Sequence, residues 1–310
     1  MAPAAAGPSP DVPGRILRAF GVAYQSIDFI GAGATSEAWA ITTGCGRLVL
    51  RIVAPRAGER ACYEAEFGLR QRVLAQGGRV ARPIATNLDV DARVAVEWCL
   101  DEFVEGAVAG GELPLTACHD LGETLAVLHG LPAEGHGQLQ NRRDELVGKS
   151  ASPVEGVLAR LERPWPFTGA PLTDHPIAAE APYLLSRLET LKPELLALLG
   201  DDRGRAVNHT DLHGGQLPVS NGRLAAILDF GDAVVAPPAW DIGSFGYFNG
   251  WDLTKRVLEG YTPDSSRRAE LLEQGHLFAI VIALHHAMRS VSLNQPERMA
   301  GAIRYLNSNL

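Results

Sequence analysis

Apolar and polar positions change their rhythm about a third of the way along the chain. Over residues 24–54, short β-branched and alternating runs (YQSIDFI, EAWAI, RLVLRIV) predict three strands. Gly31 and Gly33 separate the first two, and Gly44, Cys45 and Gly46 provide a hairpin turn before the third. Residues 60–76 repeat with a helical period. On a helical wheel, Cys62, Leu69 and Val73 form one side of an apolar face and Tyr63, Phe67 and Leu74 the other. Glu66 falls inside this face and Glu64 points away from it. Residues 93–104 predict one or two further strands, ended by Glu105 and Gly106.

From about residue 115 the pattern turns helical, and residues 140–206 read as helical and loop-rich. A strand–turn–strand signal returns at 217–230, with Asn221 and Gly222 as the turn. Helices are then expected over most of 240–310. The charge-free apolar run 277–284 is far shorter than the ~20 residues of a membrane span and reads as a buried helix. A strand-rich first third before a helix-rich remainder predicts an α+β fold in two lobes. The expected divisions are a mobile tail over 1–15, an N-terminal lobe over 16–104 and a C-terminal lobe over 105–310. No internal repeat is visible.

Composition narrows the function. The chain has 310 residues, 46% of them hydrophobic, and a formal net charge of −8. That is enough apolar material for a real core. An acidic chain is a poor nucleic-acid binder, because phosphate contacts need Lys and Arg. The charge is uneven: residues 1–104 hold 11 acids and 11 bases, so the remainder carries the whole −8. The four cysteines are scattered without metal spacing, and the start of the chain has no basic-then-apolar leader. Reduced thiols in a cytoplasmic protein with no membrane association are expected. Nothing in the sequence speaks to oligomeric state.

The chemistry concentrates in one stretch. Asp211 sits among polar residues and glycines just before a strand, and Asp229 follows the partner strand 18 residues later. A hairpin brings two such carboxylates to one end, an arrangement suited to a divalent metal plus a base. Two solvated, hairpin-flanking acids would also satisfy the pattern.

Order and spacing favour the chemical alternative. His209-Thr-Asp211-Leu-His-Gly-Gly-Gln216, followed by Asp229-Phe-Gly231, resembles the motif of aminoglycoside phosphotransferases and their relatives, including the choline kinase-like enzymes. That family has a protein-kinase-like fold, with a small β-rich N-lobe and a larger, mostly helical C-lobe. The resemblance implies that Asp211 accepts or orients the substrate hydroxyl proton and that His209 packs and hydrogen-bonds to fix the catalytic loop. Gln216 and Asp229 would hold Mg2+. Gln216 stands where the family has Asn, keeping a carbonyl oxygen but adding a methylene. Asp241, in Pro237-Pro-Ala-Trp-Asp241, matches an acid that braces the loop. His213 reads mainly as loop structure, and His285 and His286 as helix packing.

The same resemblance asks the first lobe for a nucleotide site. Gly31 and Gly33 would let backbone N–H groups approach phosphate, with Thr35 or Ser36 adding hydroxyl donors. No lysine precedes Lys149, and Arg51 occupies the position of the family's phosphate-binding lysine. Arginine keeps the charge but is longer and planar. A carboxylate on a buried face needs a partner, which makes Glu66 the expected partner of Arg51. The competing pairing is Glu66 with Arg70 at i+4. Backbone groups of Asp101, Glu102, Phe103 and Val104 would form the hinge that binds the nucleobase of ATP or GTP, with nothing to separate the two donors.

For the acceptor, Asp252 and Glu259 lie beside Trp251 in an acidic, aromatic part of the chain. Such a cleft would attract cations by long-range steering and cation–π contact. The leading expectation is therefore transfer of a γ-phosphate to a hydroxyl of a small cationic antibiotic, an aminoglycoside or a basic cyclic peptide of the viomycin and capreomycin type. The alternatives are a metabolic kinase for choline, homoserine or a sugar, and a catalytically weak nucleotide-binding module.

Overall fold

The structure is a computed structural model that describes residues 11–33, 36–53, 62–89, 96–108, 113–161, 165–200 and 204–310. The first lobe is an antiparallel sheet of β1 (Ser26–Ala32), β2 (Ser36–Thr43), β3 (Gly46–Val53), β4 (Pro83–Thr86) and β5 (Trp98–Glu102), in the order β1-β2-β3-β5-β4. Leu50, Trp98 and Leu100 of the central strands are buried with Trp39 and Ile41 of β2. Helix α1 (Asp11–Phe20) closes this core with Ile16 and Leu17. The expected tail over 1–15 is thus corrected at its inner end. Asp11 to Arg15 already belong to a helix, because Ile16 and Leu17 bury an apolar face against the sheet. Helix α2 (Tyr63–Ala75) lies against β4.

The second lobe is built from helices α3 (Leu115–His129), α7 (Ala239–Asn249), α8 (Trp251–Tyr261), α9 (Ser265–Ser292) and α10 (Pro296–Asn309), with the smaller α4 (Pro153–Arg160), α5 (Ile177–Glu180) and α6 (Leu185–Ala197). Two glycines set the closest approaches. A Cβ on Gly122 of α3 would lie 2.0 Å from the Val257 carbonyl of α8, and one on Gly243 of α7 would lie 2.7 Å from the Gly275 carbonyl of α9. Residues 278–284 of α9 are buried, and no helix among the described residues is long and apolar enough to cross a membrane.

Small sheets carry the loops between these helices. Strand β6 (Ala107–Val108) pairs with β10 (Pro218–Ser220), and β10 and β11 (Arg223–Leu224) pair antiparallel around Asn221 and Gly222, whose φ values of 52° and 74° suit a tight primed turn. Asp120 of α3 anchors this hairpin by accepting from the Leu224 amide and the Arg223 guanidinium. A further sheet runs β8-β7-β12-β9, from β7 (His136–Leu139), β8 (Gly148–Ser150), β9 (Ala206–Asn208) and β12 (Val234–Ala236). Strands of three or four residues give too little alternation to be read from sequence, so part of the stretch expected to be helix and loop is sheet instead.

Candidate active site

The loop carrying Asp211 leaves β9 and is held by one face of α7. Asn208 ties β9 to the end of β12, its Nδ2 donating to the Ala206 and Ala236 carbonyls at 2.9 and 3.0 Å. Fully buried Asp241 then accepts the His209 amide on Oδ2 (2.9 Å) and the Thr210 amide on Oδ1 (2.7 Å). Two further positions of α7 continue the grip. Ser244 Oγ donates to the Thr210 carbonyl and accepts the Leu212 amide, each at 3.0 Å, and Asn249 donates to the Leu212 carbonyl at 2.8 Å. The spacing places these side chains along one helix face. Thr210 is held at φ 73°, an unfavourable conformation for a β-branched residue that these bonds over-determine.

His209 is buried edge-on to Phe230, 4.8 Å between ring centroids. Its Nε2 donates to the Leu228 carbonyl at 2.7 Å and its Nδ1 accepts the Asp211 amide at 3.2 Å. It therefore links the two ends of the site. Asp211 emerges partly exposed, with His213 Nε2 3.6 Å from its Oδ2. His129 adds a support that the sequence reading lacked. Its Nε2 donates to Asp241 at 3.1 Å while Nδ1 takes the Tyr261 hydroxyl.

The hairpin does bring the metal candidates together. Leu228 N donates to the Gln216 carbonyl at 2.9 Å, and Gln216 Nε2 lies 3.4 Å from Asp229 Oδ2. Asp229 sits at φ 57° with a largely exposed carboxylate. The described residues contain no cluster of three His, Cys, Asp or Glu placed to hold a metal. One carboxylate beside one side-chain amide, whose oxygen a rotation would turn to an ion, nevertheless fits magnesium, which keeps several waters and takes its other oxygens from a phosphate substrate.

Arg51 reaches this end of the site from β3. Its Nη2 lies 2.7 Å from Glu66 Oε2, its Nε 3.2 Å from Asp101 Oδ2 and its Nη1 3.9 Å from Asp229 Oδ1. Arg51 and Glu66 thus meet as the sequence suggests, and the expected alternative does not form. Arg70 instead directs its guanidinium to Asp101 at 2.8 Å and gives Glu66 only a bond to its backbone carbonyl. The expectation that Glu64 points away from the buried face is corrected. Glu64 is also buried, held by Arg143 at 2.8 Å and by the Thr86 hydroxyl, because a second element covers the far side of α2.

Within the hinge, Glu102 and Phe103 already spend their amides on the Arg82 and Arg47 carbonyls. The four backbone positions are therefore not equally available to a base, and the Asp101 side chain points into the ion-pair network. In the glycine segment, Gly31 pairs with Ala38 across β1 and β2, and the Gly33 amide donates to the Ser36 carbonyl at 2.8 Å. Ser36 begins β2. Thr35 lies outside the described residues.

The acceptor residues expected on α8 face different surroundings. Trp251 stacks on His276 at 3.6 Å and donates to Asn309. Asp252 pairs with Lys255 and Glu259 with Arg256 on the same exposed helix surface. Helical periodicity turns the tryptophan into the packing between helices and leaves the acids among their own i+3 cations. The side chains next to Asp211 are aromatic instead. The His213 ring meets Phe248 at 5.7 Å, and His286 packs against Phe248 and Tyr247 at 5.4 and 4.9 Å. Burial, with Arg298 and Arg289 nearby, pushes His286 down to about 4, so this surface holds a neutral imidazole at neutral pH.

Comparison with known proteins gives the family and the fold. Residues 26–272 match the model of the phosphotransferase enzyme family APH. No curated protein matches the chain in sequence. Among solved structures, a thermostable mutant of aminoglycoside phosphotransferase APH(4)-Ia, in ternary complex with AMP-PNP and hygromycin B, superposes with a TM-score of 0.69. It is 14% identical, and the match covers 97% of both chains. The GDP complex of aminoglycoside 2'-phosphotransferase-IIIa gives 0.64 at 14% identity over 96% of each chain. Macrolide 2'-phosphotransferase MphH from Brachybacterium faecium gives 0.56 at 18% identity, over 96% of this chain and 98% of its own. The shared fold is the kinase-like one, with a small sheet lobe and a larger helical lobe.

Proposed function

The chain belongs to the phosphotransferase enzyme family, and from that premise we propose that it transfers the γ-phosphate of ATP or GTP to a hydroxyl of a small antibiotic. The observation that carries this reading is convergence. Arg51 of the first lobe reaches the Gln216–Asp229 pair of the second, and His209 links Leu228, next to Asp229, to the partly exposed Asp211, on a loop braced by buried Asp241. Phosphoryl transfer asks a protein mainly for positioning and charge neutralisation, which this arrangement suits.

In the proposed reaction Asp211 accepts the proton of the attacking hydroxyl. His209 and Asp241 hold the Asp211 backbone in place and touch no substrate. Arg51, oriented by Glu66, engages the phosphates, and the Gly31–Gly33 turn with Ser36 covers them. Gln216 and Asp229 would hold magnesium, which when bound with the nucleotide offsets the charge on the phosphates. Hinge backbone near Val104 would meet the base.

Hygromycin B in one structural neighbour and the macrolide activity named for another favour an antibiotic acceptor. A cationic acceptor loses the support of Asp252, Glu259 and Trp251. Any attraction for it would come from Asp211 and its neighbouring carboxylates, and the rings of His213, Phe248 and His286 offer a face for the acceptor skeleton.

The test is mass spectrometry after incubation with ATP or GTP and magnesium. The panel comprises aminoglycosides, viomycin-type peptides, a macrolide, choline, homoserine and a hexose. Gain of one phosphate on an antibiotic is expected. Phosphorylation confined to choline, homoserine or the sugar would replace this reading with a metabolic kinase. Nucleotide binding without turnover on any acceptor would replace it with a binding module.

A further inference from the structure

Arg51 does more than fill a lysine's place. Each of its three guanidinium nitrogens faces a different carboxylate: Nη2 faces Glu66, Nε faces Asp101 and Nη1 faces Asp229. An ammonium is a single point of charge and cannot divide itself this way. Asp101 in turn joins two arginines. Its Oδ2 takes Arg51 Nε, while its Oδ1 takes Arg70 Nη2 at 2.8 Å and the Cys99 thiol at 3.2 Å. Arg70 is fixed by donating to the Glu66 and Ala81 carbonyls, both at 3.3 Å. Glu66, Arg70 and Asp101 are 3%, 2% and 4% exposed, so the unit is rigid and dry.

We propose that Asp101, anchored by Arg70, is a positioning residue that fixes the plane of the Arg51 guanidinium, so that Nη1 is presented toward Asp229 and the phosphates. This inference rests on the nucleotide reading above. Asp101 takes the Nε edge, Glu66 takes one terminal nitrogen, and the remaining terminal nitrogen is left at the open side of the site. Two carboxylates at two edges set both the direction and the plane of the fork. Their surroundings act on the two carboxyls in opposite directions. Burial raises the Glu66 carboxyl above its usual range, and its arginines do not fully offset this. At Asp101 burial acts in the same direction, but Arg70 and Arg51 outweigh it and hold the group below its usual range. Asp101 is therefore the carboxyl whose ionised form its arginines favour.

Positioning and simple electrostatics predict opposite signs. Removing a negative charge near a phosphate site should by itself tighten anion binding. If Asp101 positions Arg51, Asp101→Asn should instead weaken it, by about tenfold, an effect typical of groups coupled in one network. The dissociation constant of magnesium AMP-PNP is measured by calorimetry in the wild-type and Arg51→Met backgrounds, for the full chain. The expected result is about tenfold weakening with Arg51 present and less than about twofold in Arg51→Met. Arg51→Lys should weaken binding too.

Unchanged or tighter binding in Asp101→Asn would overturn the proposal, as would equal weakening in both backgrounds, which would make Asp101 a purely structural part of β5. If Asp101→Asn does not fold, the charge-balanced Arg70→Met/Asp101→Asn protein is read by the same criteria. If Arg51→Met itself leaves affinity unchanged, the nucleotide reading of this site fails and the proposal falls with it.

Discussion

Asp241→Asn is a nearly isosteric change in α7, at the brace of the loop that carries Asp211. The native carboxylate accepts the His209 amide and His129 on Oδ2, and the Thr210 amide on Oδ1. An asparagine keeps one acceptor oxygen. With that oxygen serving His209 and His129, its NH2 must face the Thr210 N–H, donor against donor. Losing a charge-assisted bond costs about 1.5–3 kcal/mol, and leaving a buried donor unpaired costs about 1–3 more, so roughly 4 kcal/mol is expected. With an unfolding entropy of about 2.1 cal/mol/K per residue, a chain of this length should lose about 6 °C of melting temperature. The freed Thr210 amide also lets the strained φ of 73° relax, moving Asp211. Misplacement of a reacting group by about 1 Å costs on the order of 100-fold in kcat. Scanning calorimetry and a coupled ADP-release assay read both quantities, with KM for nucleotide changed less than kcat because Asp241 bonds His209, Thr210 and His129 and neither Arg51, Gln216 nor Asp229. A melting temperature within about 1 °C of wild type, with normal kcat, would refute the bracing argument.

Other expectations follow from the same geometry. Asp211→Asn should abolish phosphate transfer while AMP-PNP affinity stays within about twofold, since in the proposed reaction Asp211 meets the hydroxyl and not the nucleotide. Full transfer activity in this protein would remove Asp211 from the mechanism. Gly122→Ala should destabilise the C-lobe by about 2 kcal/mol or more, because the new Cβ would lie 2.0 Å from the Val257 carbonyl. Urea denaturation reads this, and an unchanged midpoint would deny the close packing of α3 on α8.

Burial pushes the His175, His285 and His286 imidazoles down to about 4, about 3 and about 4. Their unfolded value is about 6.5, so the unfolded chain takes up protons that the folded one excludes. Their stabilising contribution is complete above about pH 6.5 and is lost as the pH falls toward 4. Stability from urea midpoints should therefore be lower at about pH 5.5 than at about pH 7.5, and His175→Asn should remove roughly 1.4 kcal/mol of that difference. An unaltered pH dependence in His175→Asn would contradict the burial assignment.

The residue order from His209 to Gly231 determined much of the site by itself. Chain connectivity fixes the spacing of Asp211, Gln216 and Asp229, and a tight hairpin with Asn221 and Gly222 at its turn brings Gln216 and Asp229 together. The strands of the first lobe were legible for a similar reason, since alternation and turn glycines are local signals. Periodicity singled out Glu66 as the carboxylate on the apolar face of α2, and the family resemblance supplied Arg51 as its cation. Periodicity failed on the other side of α2, where Glu64 is buried by residues 22 and 79 positions away in sequence, Thr86 and Arg143.

Tertiary structure alone decided the remainder. The sequence places Asp101 in a hinge and says nothing of its side chain; the packing of β5 between β3 and β4, with α2 alongside, turns it into the bridge between Arg51 and Arg70. Adjacency in sequence suggested that Trp251, Asp252 and Glu259 act together, but a helix separates such neighbours by about 100° per residue and sends them into different environments. The aromatic surface beside Asp211 joins His213, Phe248 and His286, which come from a loop and two different helices. No local pattern reports a contact of that kind, because its energy comes from surfaces that meet only when the chain has folded.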